Sequence, residues 1–130
     1  MPERLPPQPL EWIDRNADIT LTVEGRMVNG FIGDTITSAL LANGEHLVGR
    51  SFKYHRRRGP LSLANHDINA LFEDGTSTNI RGDVTGATDG MDLRPTNVSG
   101  TLARDRWQIL GRMAPFLPVG FYYKAFHTPK

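Results

Sequence analysis

The 130 residues include no cysteine. That excludes disulfides, thiolate zinc sites, thiol nucleophiles and any iron–sulfur cluster held in the ordinary way by Cys thiolates. Long hydrophobic runs are missing too. No stretch approaches the roughly 18 apolar residues of a membrane-spanning helix. The start, MPERLPPQPLEW, has neither the apolar centre nor the small-residue cleavage site of a secretory signal. The expectation is a cytoplasmic chain without a membrane partner. An excess of one charge is also absent: 15 basic residues face 14 acidic ones, a net of +1. Any polyanion binding would therefore have to be local. No G-x-G-x-x-G, G-x-x-x-x-G-K-[ST] or G-x-S-x-G occurs, so neither a nucleotide cradle nor a nucleophile elbow is expected here. The 4 histidines, at positions 46, 55, 66 and 127, show no i, i+4 pair, so no histidine metal site is expected. His66-Asp67 reads as a polar surface or turn pair.

What is present points to one loop-rich domain, with 13 Gly and 9 Pro. Residues 1–18 read as an extended, Pro-rich arm. In ITLTVEGRMVNGF, Ile19, Leu21 and Val23 alternate with Thr20, Thr22 and Glu24, the period of a half-buried strand. Glu24-Gly25 turns that strand back on itself as a hairpin. In GDTITSALLANG, Asp34 or Thr35 caps a helix that places Ile36, Ala39 and Leu40 on one face and ends at Gly44. A strand over Ile68–Glu73 turns at Asp74-Gly75. Residues 76–93 read as a long surface loop. RDRWQILGRMAPF has helical spacing through Trp107, Ile109, Leu110, Met113 and Ala114, and Pro115 stops it. The expected division is an arm at 1–18, a folded domain at 19–98 and a helix with an aromatic extension at 99–130.

Two features point outward. GRSFKYHRRRG gathers Arg50, Lys53, His55, Arg56, Arg57 and Arg58 around Phe52 and Tyr54, chemistry that suits a phosphate or acidic groups of a neighbouring domain. A nucleic-acid-binding module is an alternative reading of this loop, set against the near-neutral chain, and no nucleic-acid partner is expected. Near the C-terminus, Phe116, Phe121, Tyr122, Tyr123 and Phe126 crowd together. They either fold onto this domain's core or form an apolar arm that needs a partner surface or self-association; the second is the expectation.

The order of these parts, and the segments GDTITSALLANG, GRSFKYHRRRG and GFYYKAFH, resemble the N-terminal region of the α subunit of heterotetrameric sarcosine oxidases. They also resemble the small ferredoxin-like subunits of related amine, opine and proline dehydrogenases. The resemblance implies an α+β fold, a ferredoxin-like β-grasp. In cluster-bearing relatives the basic run leads into C-x4-C-x2-C and a later Cys. Laid on that pattern, the ligand positions here fall at Leu61 or Ser62, His66, Asn69 and Thr96, none of them Cys. The resemblance thus implies a ferredoxin scaffold without a cluster and no cofactor or metal in this chain.

For the whole complex the resemblance implies FAD, FMN, NAD and tetrahydrofolate, the remainder of the α subunit and β, γ and δ subunits as partners, and oxidative demethylation of sarcosine to glycine. This segment would be a non-catalytic accessory piece, with Arg50, Lys53, Arg56, Arg57 and Arg58 as docking or cofactor-binding groups. The alternative within the same family is a small electron-transfer subunit, which the missing thiolates oppose.

Overall fold

The computed structural model describes residues 4–62, 64, 66–113 and 115. A long hairpin opens it: β1 (Asp14–Val23) and β2 (Arg26–Ile32) pair antiparallel from Val23↔Arg26 to Asp14↔Ile32. Ile19, Leu21 and Val23 are buried and their neighbours are not, as the alternation requires. Glu24 and Gly25 turn the chain with φ of 54° and 77°, the positive pair that a two-residue turn matched to strand twist demands. β1 begins inside the expected arm because Asp14 still finds a partner in Ile32. The arm itself is tied down: Arg4 forms a forked ion pair with Asp34 (2.7 and 3.2 Å), which is buried at the start of the next helix.

Helix α1 (Ile36–Ala42) starts at Thr35 in a reciprocal cap. The Thr35 hydroxyl accepts from the Ser38 amide, and the Ser38 hydroxyl accepts from the Thr35 amide. It ends where the Gly44 amide reaches the Leu41 carbonyl and the Glu45 amide reaches that of Leu40. Gly44 sits at φ 82°, the left-handed residue of this closure. Ile36, Ala39 and Leu40 pack against the sheet beside Leu21, Phe72 and Leu93.

The sheet runs β2-β1-β7-β5-β6, with β5 (Leu71–Glu73), β6 (Ile80–Arg81) and β7 (Asp92–Pro95). β7 lies parallel to β1, and the other pairs are antiparallel. The expected strand over 68–73 is confined to Leu71–Glu73, because its ladder partners in β6 and β7 begin only at Leu71. Residues 76–93 are a surface loop only in part: 76–79 and 88–90 are exposed, whereas Gly82, Asp83, Ala87 and Leu93 are buried. Gly82 and Thr85 carbonyls accept from the first amides of α1, the Gly82 amide donates to Ala70, and Met91 accepts from Thr22. The segment laces helix to sheet, and it places Asp83 in the interior.

A separate ribbon pairs β3 (Gly49–Arg50) with β4 (Arg57–Arg58). The expected C-terminal helix is reduced to a 3-10 turn, Arg106–Gln108, and α2 (Ile109–Arg112). Among the described side chains of the expected helical face, Trp107, Ile109 and Met113 remain substantially exposed.

Candidate functional site

The basic segment folds as a closed hairpin. The Ser51 amide donates to the Arg56 carbonyl (2.9 Å), the His55 amide to the Ser51 carbonyl (3.1 Å) and the Arg56 amide to the Ser51 hydroxyl (3.0 Å). This divides the expected cationic cluster in two. Arg56, Arg57 and Arg58 are exposed, with Lys53 partly so. Lys53 and Arg56 both lie over the Tyr54 ring, at 5.0 and 4.9 Å from its centroid, which limits their wandering. Phe52 projects into solvent beside them.

Arg50 parts from this group. It is buried and donates from Nε and Nη2 to the Leu102 carbonyl (2.8 and 2.6 Å) and from Nη1 to that of His55 (2.7 Å). Its fork is spent inside the protein, so Arg50 is a brace of the loop and is not presented for docking. His55 is buried as well, at φ 52°, an uncommon conformation for a side-chain-bearing residue. Its Nδ1 lies 2.5 Å from Asp105 Oδ2, in a carboxylate with no solvent exposure. The other oxygen, Asp105 Oδ1, accepts from the amides of Ser99 and Trp107 (3.0 and 3.1 Å). Glu24 completes the lock by accepting from the Leu102 amide at 2.6 Å. The hairpin's root and residues 99–107 are thus one polar assembly. A stretch of like charges hid this in the sequence, because nothing in the spacing distinguishes an inward Arg50 from an outward Arg56.

Of the ligand positions expected for a cluster, Leu61, Ser62, His66 and Asn69 lie in the connection between β4 and β5, and Thr96 directly follows β7. Leu61 and His66 are exposed, Ser62, Asn69 and Thr96 half-buried. Asn69 donates its side-chain amide to the Gly59 carbonyl (3.1 Å), and Thr96 its hydroxyl to Leu71 (3.3 Å). Between them Asp67 is fully buried, against the expected surface pair. Its Oδ1 accepts from the Asn69 amide (2.7 Å) and its Oδ2 from that of Leu61 (3.4 Å), while its own amide donates to Asp83 Oδ2 (3.0 Å). Among the described residues no three His, Cys, Asp or Glu gather as a metal site. With hydroxyl, amide and imidazole where thiolates would be needed, these residues do not fit a cysteine-ligated 2Fe–2S cluster.

A polar cleft lined by Thr22, Glu24, Glu73, Asp92 and Arg94 opens beside the hairpin turn, but Glu24 is engaged there already. At the arm, Leu10 (96% exposed) and Trp12 (95%) flank Glu11, whose carboxyl the Arg15 guanidinium holds below its ordinary range. Phe116, Phe121, Tyr122, Tyr123 and Phe126 lie outside the described residues. Among the described residues no helix is long and apolar enough to cross a membrane.

Comparisons with known proteins bear on the fold and the family. A crystal structure of L-proline dehydrogenase from P. horikoshii superposes with a TM-score of 0.54 at 21% identity, over 68% of this chain and 17% of that one; this likeness concerns the fold. The sarcosine oxidase subunit alpha of Rhizobium meliloti (strain 1021) is 44% identical over 130 residues, 97% of this chain and 13% of that protein. That of Corynebacterium sp. (strain P-1) is 43% identical over 70 residues, 52% of this chain and 7% of that one. The chain therefore spans about an eighth or less of these relatives. The model of the 2Fe-2S iron-sulfur cluster binding domain matches residues 16–98. Its fold and its match across most of the mixed sheet place this chain in the 2Fe-2S iron-sulfur cluster binding domain family.

Proposed function

We propose that the chain is a cluster-free accessory domain of a sarcosine-oxidase-type flavoenzyme, and that its outward ribbon of Lys53, Arg56, Arg57 and Arg58 docks it to the rest of that enzyme. The observation that carries this is the division of the basic hairpin. Arg50 and His55 are spent on bracing the loop, while Arg56–Arg58 stand exposed on a backbone already closed by its own hydrogen bonds. Pre-organised guanidinium groups match carboxylate or phosphate geometry and lose little freedom on binding. The surface they meet is acidic, or is an adenylate phosphate held by a flavin- or NAD-binding domain. Phe52 and Trp107 add exposed apolar area beside the charges.

On this reading FAD, FMN, NAD and tetrahydrofolate bind elsewhere in the complex, and the partners are the remainder of an α subunit with β, γ and δ chains. The domain takes no direct part in demethylating sarcosine. The aromatic segment Phe116–Phe126 would add to the same interface.

Replacing Arg56, Arg57 and Arg58 together by Ala in the complete enzyme tests the proposal. Weakened subunit assembly or faster loss of bound dinucleotide is expected, measured by sedimentation and by cofactor content after gel filtration. Assembly and cofactor retention both at wild-type level would sink it.

A further inference from the structure

We infer that the Asp67 carboxylate, on a residue whose backbone amide is anchored to Asp83, has taken over the structural task that a cluster performs in cluster-bearing members of this family. The inference rests on the family membership and on the misfit of the ligand positions, and it is independent of the docking proposal.

An iron–sulfur loop wraps an anionic centre, and its backbone amides point inward at sulfur, which accepts their hydrogen bonds. Remove the cluster and the loop keeps amides that need an acceptor, since a buried unpaired N–H costs free energy comparable to a lost hydrogen bond. Here one side chain meets two amides of that loop, one six positions before it and one two positions after. Asp67 has no solvent exposure, and its two oxygens take the Leu61 amide from one end of the loop and the Asn69 amide from the other. A carboxylate accepting backbone N–H groups makes the same kind of charge-assisted bond in the same sense, anion inside and amides around it.

The position of Asp67 is itself determined from the far side. Its amide donates to Asp83 Oδ2, and that oxygen also takes a guanidinium nitrogen of Arg81 at 3.0 Å. Asp83 is 2% exposed and sits on the segment that laces α1 to the sheet. Asn69 closes the loop with its side-chain bond to Gly59. Its carbonyl lies so near Gly49 that a Cβ there would stand 2.0 Å from it, so the loop is pressed directly onto β3. The carboxylate therefore ties Leu61 to Asn69, and Asn69 in turn rests its carbonyl against β3 at the root of the basic hairpin.

Amide hydrogen exchange on the 130-residue chain, read by NMR, tests this. In Asp67→Ala the Leu61 and Asn69 amides should exchange about tenfold faster or more, the loss expected for a hydrogen bond to a charged group. The Leu21 and Val23 amides of β1 should report only the change in global stability. The isosteric Asp67→Asn, which keeps a carbonyl oxygen but no charge, should give an intermediate acceleration at the same two amides. It supplies the reading if the alanine variant fails to fold. Wild-type protection at Leu61 and Asn69 in a folded Asp67 variant would overturn the inference. So would acceleration there that merely equals that of β1.

Discussion

At the scale of single residues, the decisive positions are small or buried, and their chemistry is ordinary. Gly49 is one. A Cβ there would stand 2.0 Å from the Asn69 carbonyl oxygen, a backbone atom with no flexible end to swing away. Gly49→Ala is expected to cost at least about 1–3 kcal/mol, the range for overpacking, and to move Asn69 away from β3. A denaturant midpoint unchanged from wild type would show that the two segments are not pressed together. Gly82 shows the same constraint on the other side, where a Cβ would meet Thr37 Oγ1 at 2.7 Å and the Phe72 ring at 2.8 Å. That contact explains a tripeptide, Arg81-Gly82-Asp83, that reads as an unremarkable loop in sequence and is a packed, partly buried step in the fold.

At the scale of elements, the helix and the turns carry their own instructions. The reciprocal cap between Thr35 and Ser38 satisfies two of the four orphan amides at the start of α1. Thr35→Ala should lower stability by about 1 kcal/mol, measured by urea unfolding. A loss below a few tenths would mean that the carbonyls of Gly82 and Thr85 already do most of the capping. The turn after β5 gives a pH test. The amides of Ser77 and Thr76 and the Thr76 hydroxyl converge on Asp74 and hold its carboxyl below the ordinary value of 3.8. A depressed folded-state value stabilises the fold at pH above the ordinary value, and that contribution disappears as pH falls through the depressed one. The stability difference between wild type and Asp74→Ala should thus be full near neutrality and shrink in strong acid. A difference that does not change with pH would remove the carboxylate from the turn's support.

At the scale of the whole molecule, a stable body and an outward-facing ribbon are separable. The core of Leu21, Ile36, Phe72 and Leu93 lies between helix and sheet and takes nothing from the exposed arginines. Replacing Arg56, Arg57 and Arg58 by Ala should therefore change the stability of the isolated chain by no more than about 0.5 kcal/mol per site, whatever it does to the proposed docking. A large fall in its melting temperature would show instead that these side chains support the fold. Arg50→Ala is the contrast: it leaves the carbonyls of Leu102 and His55 without their donor and should destabilise by several times as much.

The hairpin, the capped helix and the turn at Asp74-Gly75 were all legible in the residue order. Each depends on neighbours a few positions apart: alternation along Ile19–Val23, a hydroxyl three residues before its amide, a carboxylate beside the turn it closes. The absence of cysteine alone ruled out thiolate ligation. What the sequence could not disclose was direction. Arg50, His55, Asp67, Asp83 and Asp105 look like surface polar residues in a string of letters. Each becomes structural only because a partner 16 to 52 positions away arrives to meet it, or because a loop closes over it. Local patterns set which elements form. Burying a charged group needs a partner brought by the tertiary fold, since an unpaired one would not be left there. That requirement turned the root of a basic loop into a brace and drew an aspartate into the interior.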